Sequence, residues 1–340
     1  MPYLIGIDEA GYAPNLGPLV VAGSLWKVPD LDIGLYERLA DSVSNQLDDK
    51  RITIADSKSI HVSTGTLAPL ESNLLPVLRM VMPSAVRKFS DLVTLIPNID
   101  FGLFRTESAQ QSLDWGDEDI PANVLDQLAV EPSINGCDLE LPTAIAADEL
   151  QSRAKTFESN CRRQKVRLMK LTFVPIFPTA FNVLADRMGN KASLLSATSL
   201  TLVKELLRAT ANDDVTVVCD KHGGRNQYAH FVERFLAPKP VDSVWESERS
   251  SHYRWTESKR RFDILFNAKG ESFMPVALAS MLAKYVRELS MKLFNQYWQQ
   301  QQPNLRPTKG YPTDARRFRA DIQHTTRRLG IREEQFWRVR

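Results

Sequence analysis

The sequence predicts an α/β fold, and three observations carry that reading. An apolar strand-forming run near the start is followed, across a Gly/Pro-punctuated connection, by a second one. A β-branched run, VTVVCD at 215–220, is preceded by an amphipathic stretch at 193–209, and a helical period dominates after residue 271. With 340 residues, 43% of them hydrophobic, the chain can bury a full core in one large domain or two smaller ones.

Residues 4–11 read LIGIDEAG, a short apolar strand running into Asp8 and Glu9 and then Gly11. Acids that end a buried strand are costly unless they are hydrogen-bonded or hold a cation, so a metal site is one reading of the pair. The start of a turn or a helix cap is the other. The chain continues YAPNLGPLVVAGSLW at 12–26, and the two apolar runs together form a hairpin with acids at its mouth. Segment 97–137 mixes Pro, Gly, Asp, Asn and Ser with isolated apolar residues and reads as an irregular, acidic excursion. Segment 144–163 then reads as a helix and 167–177 as a strand.

The strand at 215–220 ends in Asp220 and leads into KHGGRNQY. There Gly223 and Gly224 permit close backbone approach to a phosphate, with Lys221, Arg225 and Asn226 as donors, although glycine pairs also occur in ordinary loops. His222 reads either as an aid to proton transfer or product release or as a solvated side chain. After Glu271, Pro275 suits a first helical turn, and Leu278, Leu282, Tyr285, Leu289 and Leu293 form an apolar stripe. Ser280, Lys284 and Arg287 fall on the opposite stripe, where a hydroxyl and two cations can meet successive phosphate oxygens. Arg306, Lys309, Arg316, Arg317 and Arg319 add a second basic cluster, with Trp298 and Tyr311 as aromatic surface.

Net charge is only +2, but residues 251–340 hold eighteen Lys/Arg against eight Asp/Glu, a local balance of +10. Such a basic third suits a phosphate-binding surface, or else a solvated helix face. Cys137, Cys161 and Cys219 form no CxxC pair, which argues against a disulfide framework or a zinc knuckle. No apolar run is long enough to span a bilayer, and a core strand begins almost at once, so the expectation is a soluble cytoplasmic protein, monomeric and without a membrane partner.

Several short motifs recur in a familiar order: Asp8-Glu9-Ala10-Gly11, Gly17-Pro18, Asp56-Ser57-Lys58, the strand ending in Asp220, KGE at 269–271, ASMLAKYVRE at 279–288 and KGYPT at 309–313. In this set the chain resembles the type 2 ribonuclease H family, ribonuclease HII. The resemblance implies a ribonuclease H-like fold, a central mixed sheet with helices on both sides. It implies one domain over 1–340, with an insertion at about 80–145 and a basic helical region at about 272–340. It also implies an endonuclease that hydrolyses the RNA strand of RNA–DNA duplexes with two divalent ions, Mg²⁺ or Mn²⁺. Asp8 and Asp220 would be inner ligands, with Glu9 and Glu271 completing the set. Gly11, Tyr12, Ala13, Lys58, Ser280, Lys284 and Tyr311 would bind the hybrid or ribonucleotide-containing DNA. Two alternatives stand beside this reading: a nuclease of the same fold acting on another nucleic-acid structure, and a nucleic-acid-binding protein with lost or weak catalysis.

Three departures from the family pattern bear on substrate choice. The fourth family acid is usually Asp, whereas this chain offers Gly270 or Glu271. Gly11-Tyr12-Ala13 stands where the family has Gly-Arg-Gly, which removes a cation from the loop that contacts the ribonucleotide and puts Ala13 where only glycine moves freely. Ser59 replaces a second lysine after Lys58.

Overall fold

The computed structural model describes residues 1–48, 50–57, 60, 66–82, 84–100, 126, 131, 133–134, 138–145, 147–237 and 240–339. Lys58, Ser59 and most of the 97–137 excursion, and with it much of the expected insertion, lie outside the described residues.

The strands are β1 (Tyr3–Ala10), β2 (Leu19–Lys27), β3 (Val43–Ser44), β4 (Ile52–Thr53), β5 (Arg167–Ile176), β6 (Val215–Asp220), β7 (Asp242–Glu246), β8 (Ser250–Glu257) and β9 (Arg260–Asn267). The helices, in chain order, are α1 (Leu35–Arg38), α2 (Ala68–Leu78), α3 (Phe89–Leu92), α4 (Ala147–Arg163), α5 (Pro178–Arg187), α6 (Lys191–Leu207), α7 (Ala229–Phe235), α8 (Met274–Gln301), α9 (Pro312–Asp321) and α10 (Gln323–Leu329). Seven strands form one sheet in the order β5-β2-β1-β6-β9-β8-β7, and β3 and β4 pair separately. β1 runs antiparallel to β2 and parallel to β6, and β6 runs parallel to β9. The sheet is therefore mixed, as expected.

Helices cover both faces, and the register of β1 shows which side each uses. Gly6 pairs with Ser24, and both face the start of α8: a Cβ on Gly6 would lie 2.1 Å from the Pro275 carbonyl carbon, and Ser24 Oγ donates to the Pro275 carbonyl at 2.7 Å. Only glycine lets a helix backbone approach a strand so closely. Ile7 pairs with Gly23 on the other face, against Leu202 and Leu206 of α6. Asp8, by the alternation of the strand, projects toward α8, and Glu9 toward α6.

The expected hairpin is β1–β2, the 144–163 helix is α4, the 167–177 strand is β5, and Pro275 lies in the first turn of α8. The β7–β8–β9 extension was not read from sequence. Its signal is present, because SHYRWTE and RRFDILFN alternate around Ser258 and Lys259, which take φ of 52° and 67°. Two consecutive positive φ angles make a type I′ hairpin turn, but Ser-Lys lacks the Asn-Gly cue that usually marks it. A large apolar core lies under both sheet faces, and a second cluster joins Met291, Phe294 and Trp298 of α8 to Phe318, Ile322, Phe336 and Trp337.

Candidate metal centre

The last paired residues of β1 and β6 are Ile7 and Cys219, so Asp8 and Asp220 sit side by side one step further, at the carboxyl ends of neighbouring parallel strands. Ligand oxygens of Asp8, Glu9 and Asp220 all lie within 4.8 Å of one another, and the three side chains are half-buried. Glu9 points to the opposite face by the pleat but reaches the group because β6 ends at Asp220 and leaves the sheet open there. Asp8 Oδ1 accepts the Glu9 backbone N–H at 2.8 Å, and Asp220 Oδ1 accepts the Gly270 N–H at 3.1 Å. The same three charges, after burial, push the Cys219 thiol up in pKa. Three carboxylates gathered at a strand end form a hard, all-oxygen donor set that suits a divalent cation.

Glu271 lies in a short 3-10 turn at Gly270–Ser272, just before α8. It is not part of the three-residue group, but it lines a cleft of about 530 Å³ with Asp220, Lys221, Asn226, Glu248 and Lys269. Of the expected four acids, three meet directly and the fourth stands at the wall of the adjoining cleft. Glu248, from the turn between β7 and β8, was missed by sequence reasoning together with its hairpin.

The loop after the acids is held by packing. Gly11 takes φ of +87°, and a Cβ there would lie 2.5 Å from the Pro18 carbonyl oxygen and 2.7 Å from Arg287 Nε. The Tyr12 ring lies under Lys191 Nζ at 4.8 Å, and burial, then the Glu9 charge, raises its hydroxyl pKa. Ala13 is exposed and has no positive φ, so it carries none of the expected backbone strain. Beyond the loop, Arg287 donates to the Lys309 carbonyl at 3.0 Å and its guanidinium lies 5.8 Å from the centre of the Tyr311 ring. Arg287 thus joins Gly11 to the Lys309-Gly310-Tyr311 turn, and Tyr311 itself is 47% exposed.

The open polar stripe expected along α8 is corrected by the structure. Ser280 is buried and donates to Ser57 Oγ at 3.1 Å, Arg287 is buried, and Lys284 is drawn to Glu288 Oε1 at 2.7 Å. The reason is that segments distant in sequence cover it: Ser57 packs on Ser280, and the Gly11 loop and the Lys309–Tyr311 turn close over Arg287, while α2 meets the apolar stripe, where Glu71 accepts Tyr285 Oη at 3.1 Å. Trp298, expected as surface, is buried in the second core cluster. His222 is not solvated: it is buried, with Nδ1 3.0 Å from Ser196 Oγ, and burial, then Arg225, pulls its pKa down to about 3. Lys221 Nζ donates to Asn226 Oδ1 at 2.6 Å, and Arg225 to Ser193 Oγ at 3.1 Å.

A second groove, of about 810 Å³, runs beside Tyr311 and is lined by Glu288, Lys292, Gln299, Arg306 and Lys309 among others. No helix among the described residues is long and apolar enough to cross a membrane. Cys161 and Cys219 are free and buried.

These features define an α/β chain with a carboxylate centre at the ends of parallel strands. No family model and no curated protein matches the sequence. Among solved structures it is similar to the ribonuclease HII of the PCNA complex from Archaeoglobus fulgidus, at 14% identity over 99% of this chain and 94% of that one, with a TM-score of 0.39. It is also similar to the ribonuclease H2 of Pyrococcus horikoshii OT3, at 12% identity over 98% and 92%, with a TM-score of 0.41. A third is Bst ribonuclease HIII in complex with Mn²⁺, at 14% identity over 99% and 66%, with a TM-score of 0.37.

Proposed function

We propose that this chain is a metal-dependent endonuclease that hydrolyses the RNA strand of RNA–DNA duplexes, leaving 3′-hydroxyl and 5′-phosphate ends. The observation that carries this reading is the meeting of Asp8, Glu9 and Asp220 within 4.8 Å, although Asp220 lies more than two hundred residues beyond Asp8. Two Mg²⁺ or Mn²⁺ ions bound there would supply an activated water and neutralise the leaving 3′ oxygen.

In this reading Asp8 and Asp220 are the inner ligands, Glu9 joins them, and Glu271 acts from the wall of the cleft. The scissile strand passes over the Gly11 loop, which the absent Gly11 side chain lets pack close against Pro18 and Arg287, and meets Tyr311, whose exposed ring can stack on a sugar or base. Lys309, Arg306 and Lys292, on the groove beyond Tyr311, give the duplex backbone its cationic contacts. Lys284 reaches a phosphate only by leaving Glu288. Ser280 acts indirectly, through the packing of Ser57.

The test is cleavage of an end-labelled RNA–DNA hybrid by the full chain with Mg²⁺ or Mn²⁺, against the same reaction in chelator. Cleavage that needs the metal and disappears in Asp8→Asn supports the assignment. Metal-independent cleavage, or a fully active Asp8→Asn, overturns it.

A further inference from the structure

The loop of residues 11–18 is clasped from two sides by segments more than 290 residues further along the chain. On one side, the Asn15 and Leu16 N–H groups donate to the Gly310 carbonyl at 2.8 and 3.3 Å. On the other, Arg338 N–H donates to the Asn15 carbonyl at 2.8 Å, Asn15 Nδ2 donates to the Arg338 carbonyl at 3.1 Å, and Leu16 bridges Trp337 in antiparallel fashion. The 337–339 segment is itself pinned to α5. Asn182 Nδ2 donates to the Trp337 carbonyl at 2.8 Å, and the Val339 N–H donates to Asn182 Oδ1 at 3.0 Å.

The side chain of Arg338 is the unusual part of this clasp. It is 0% exposed, lies 4.8 Å over the Phe181 ring and donates to the Pro14 carbonyl, while its Nε and Nη1 have no hydrogen-bond partner among the described residues. Its neighbour Arg287, also buried, carries a like charge and leaves Nε unpartnered among the described residues. A buried cation with incomplete hydrogen bonding is a stability cost that an apolar side chain of similar size would avoid. Its side-chain hydrogen bond to Pro14 ends on the loop that follows Asp8 and Glu9.

We propose that Arg338 is a positioning residue, which uses α5, through Phe181 and Asn182, as a base to hold the loop 11–18 in the form that places Gly11, Tyr12 and Ala13 beside the carboxylate centre. Its effect on turnover rests on the nuclease reading above. Its effect on the loop does not.

The experiment compares the wild-type full chain with Arg338→Met in three measurements: thermal unfolding, amide hydrogen exchange by mass spectrometry, and kcat and KM on a labelled hybrid at saturating Mn²⁺. The expected result is a melting temperature equal to or above wild type, with exchange at residues 11–18 about tenfold faster and the β1 and β6 peptides unchanged. The accompanying kcat falls about tenfold or more, with KM within about threefold. Unchanged exchange in the loop overturns the proposal, as does a loosened loop with unchanged kcat, or a lowered melting temperature with full turnover per folded molecule. If Arg338→Met does not fold, Arg338→Lys takes the same measurements, since it keeps the charge and removes the planar fork that reaches Pro14. If wild type cleaves no hybrid, the nuclease reading fails and the exchange measurement alone decides whether Arg338 holds the loop.

Discussion

Asp8 and Asp220 act as neighbours because parallel pairing of β1 with β6 runs up to Ile7 and Cys219, and each carboxylate already has a backbone N–H as partner. Replacing either by Asn keeps the shape and removes the charge a cation needs. The expected outcome for Asp8→Asn and Asp220→Asn is a loss of metal-dependent cleavage by about a hundredfold or more, with hybrid binding retained, measured by single-turnover cleavage and by filter binding. Glu271→Gln, at the cleft wall, should lose less in the same assay. Tyr12 and Ala13 hold the second residue-scale expectation. The Tyr12 ring is turned toward Lys191, and a Cβ on Gly223 would come within 2.6 Å of its hydroxyl, so it supplies no cation to the strand. The double change Tyr12→Arg with Ala13→Gly should raise cleavage at a single ribonucleotide in duplex DNA, relative to a continuous hybrid, by about tenfold, the worth of one regained charged hydrogen bond. Equal or lower relative cleavage at the lone ribonucleotide would place specificity outside this loop.

Between elements, the decisive contact is α8 against β1, because α8 follows directly on Gly270 and Glu271, which stand beside the cleft at Asp220. Gly6 is where the two backbones nearly touch, and any side chain there meets the Pro275 backbone, which cannot move aside as a flexible chain end can. Gly6→Ala should cost about 3 kcal/mol or more in denaturant unfolding, or prevent soluble expression. A second inter-element contact depends on pH. Glu131 is buried against Gly17, Pro18, Ser290 and Phe294, and burial raises its pKa to about 7, with the Ser133 hydroxyl as a partial offset. From its ordinary 4.5 up to about 7 the folded chain therefore binds more protons at this carboxyl than the unfolded chain does. That contribution is present below this window and is lost as pH rises through it. Glu131→Gln has nothing to titrate, so its stability should fall less than wild type between pH 4.5 and 7, and at pH 8 it should exceed wild type by at most about 3 kcal/mol. Parallel unfolding curves across that range would remove Glu131 from the account.

Over the whole molecule, charge is segregated: the +10 of residues 251–340 is set against −8 for the rest. Many of those cations are engaged within the protein. Arg317 pairs with Asp314 and Asp321, Arg319 with Glu333, and Arg287 and Arg338 are buried. Lys292, Arg306 and Lys309 remain exposed along the groove beside Tyr311. Hybrid affinity should therefore weaken steeply with salt, and Arg306→Ala or Lys309→Ala should each reduce the slope of log K against log salt by about 1. Binding that is insensitive to salt, or slopes unchanged in both variants, would place the duplex elsewhere.

Much of this chain can be read without its structure. Periodicity and turn residues locate β1, β2, β5, β6, α4, α6 and α8, because local sequence decides which side chains alternate or recur on a helix face. The acids stand out because charge at the end of an apolar strand is conspicuous in any context. What sequence does not decide is the partner of each face. Ser280, Arg287, Trp298 and His222 are polar or aromatic residues at positions compatible with exposure, and each is buried by an element distant in sequence. The clasp of loop 11–18 by Gly310 and Arg338 depends on two meetings of remote segments that no local pattern encodes. The acids were determined by sequence because strand geometry is local. Which cations stay free for a nucleic acid was decided by tertiary packing, because burial and pairing depend on which distant surfaces come together.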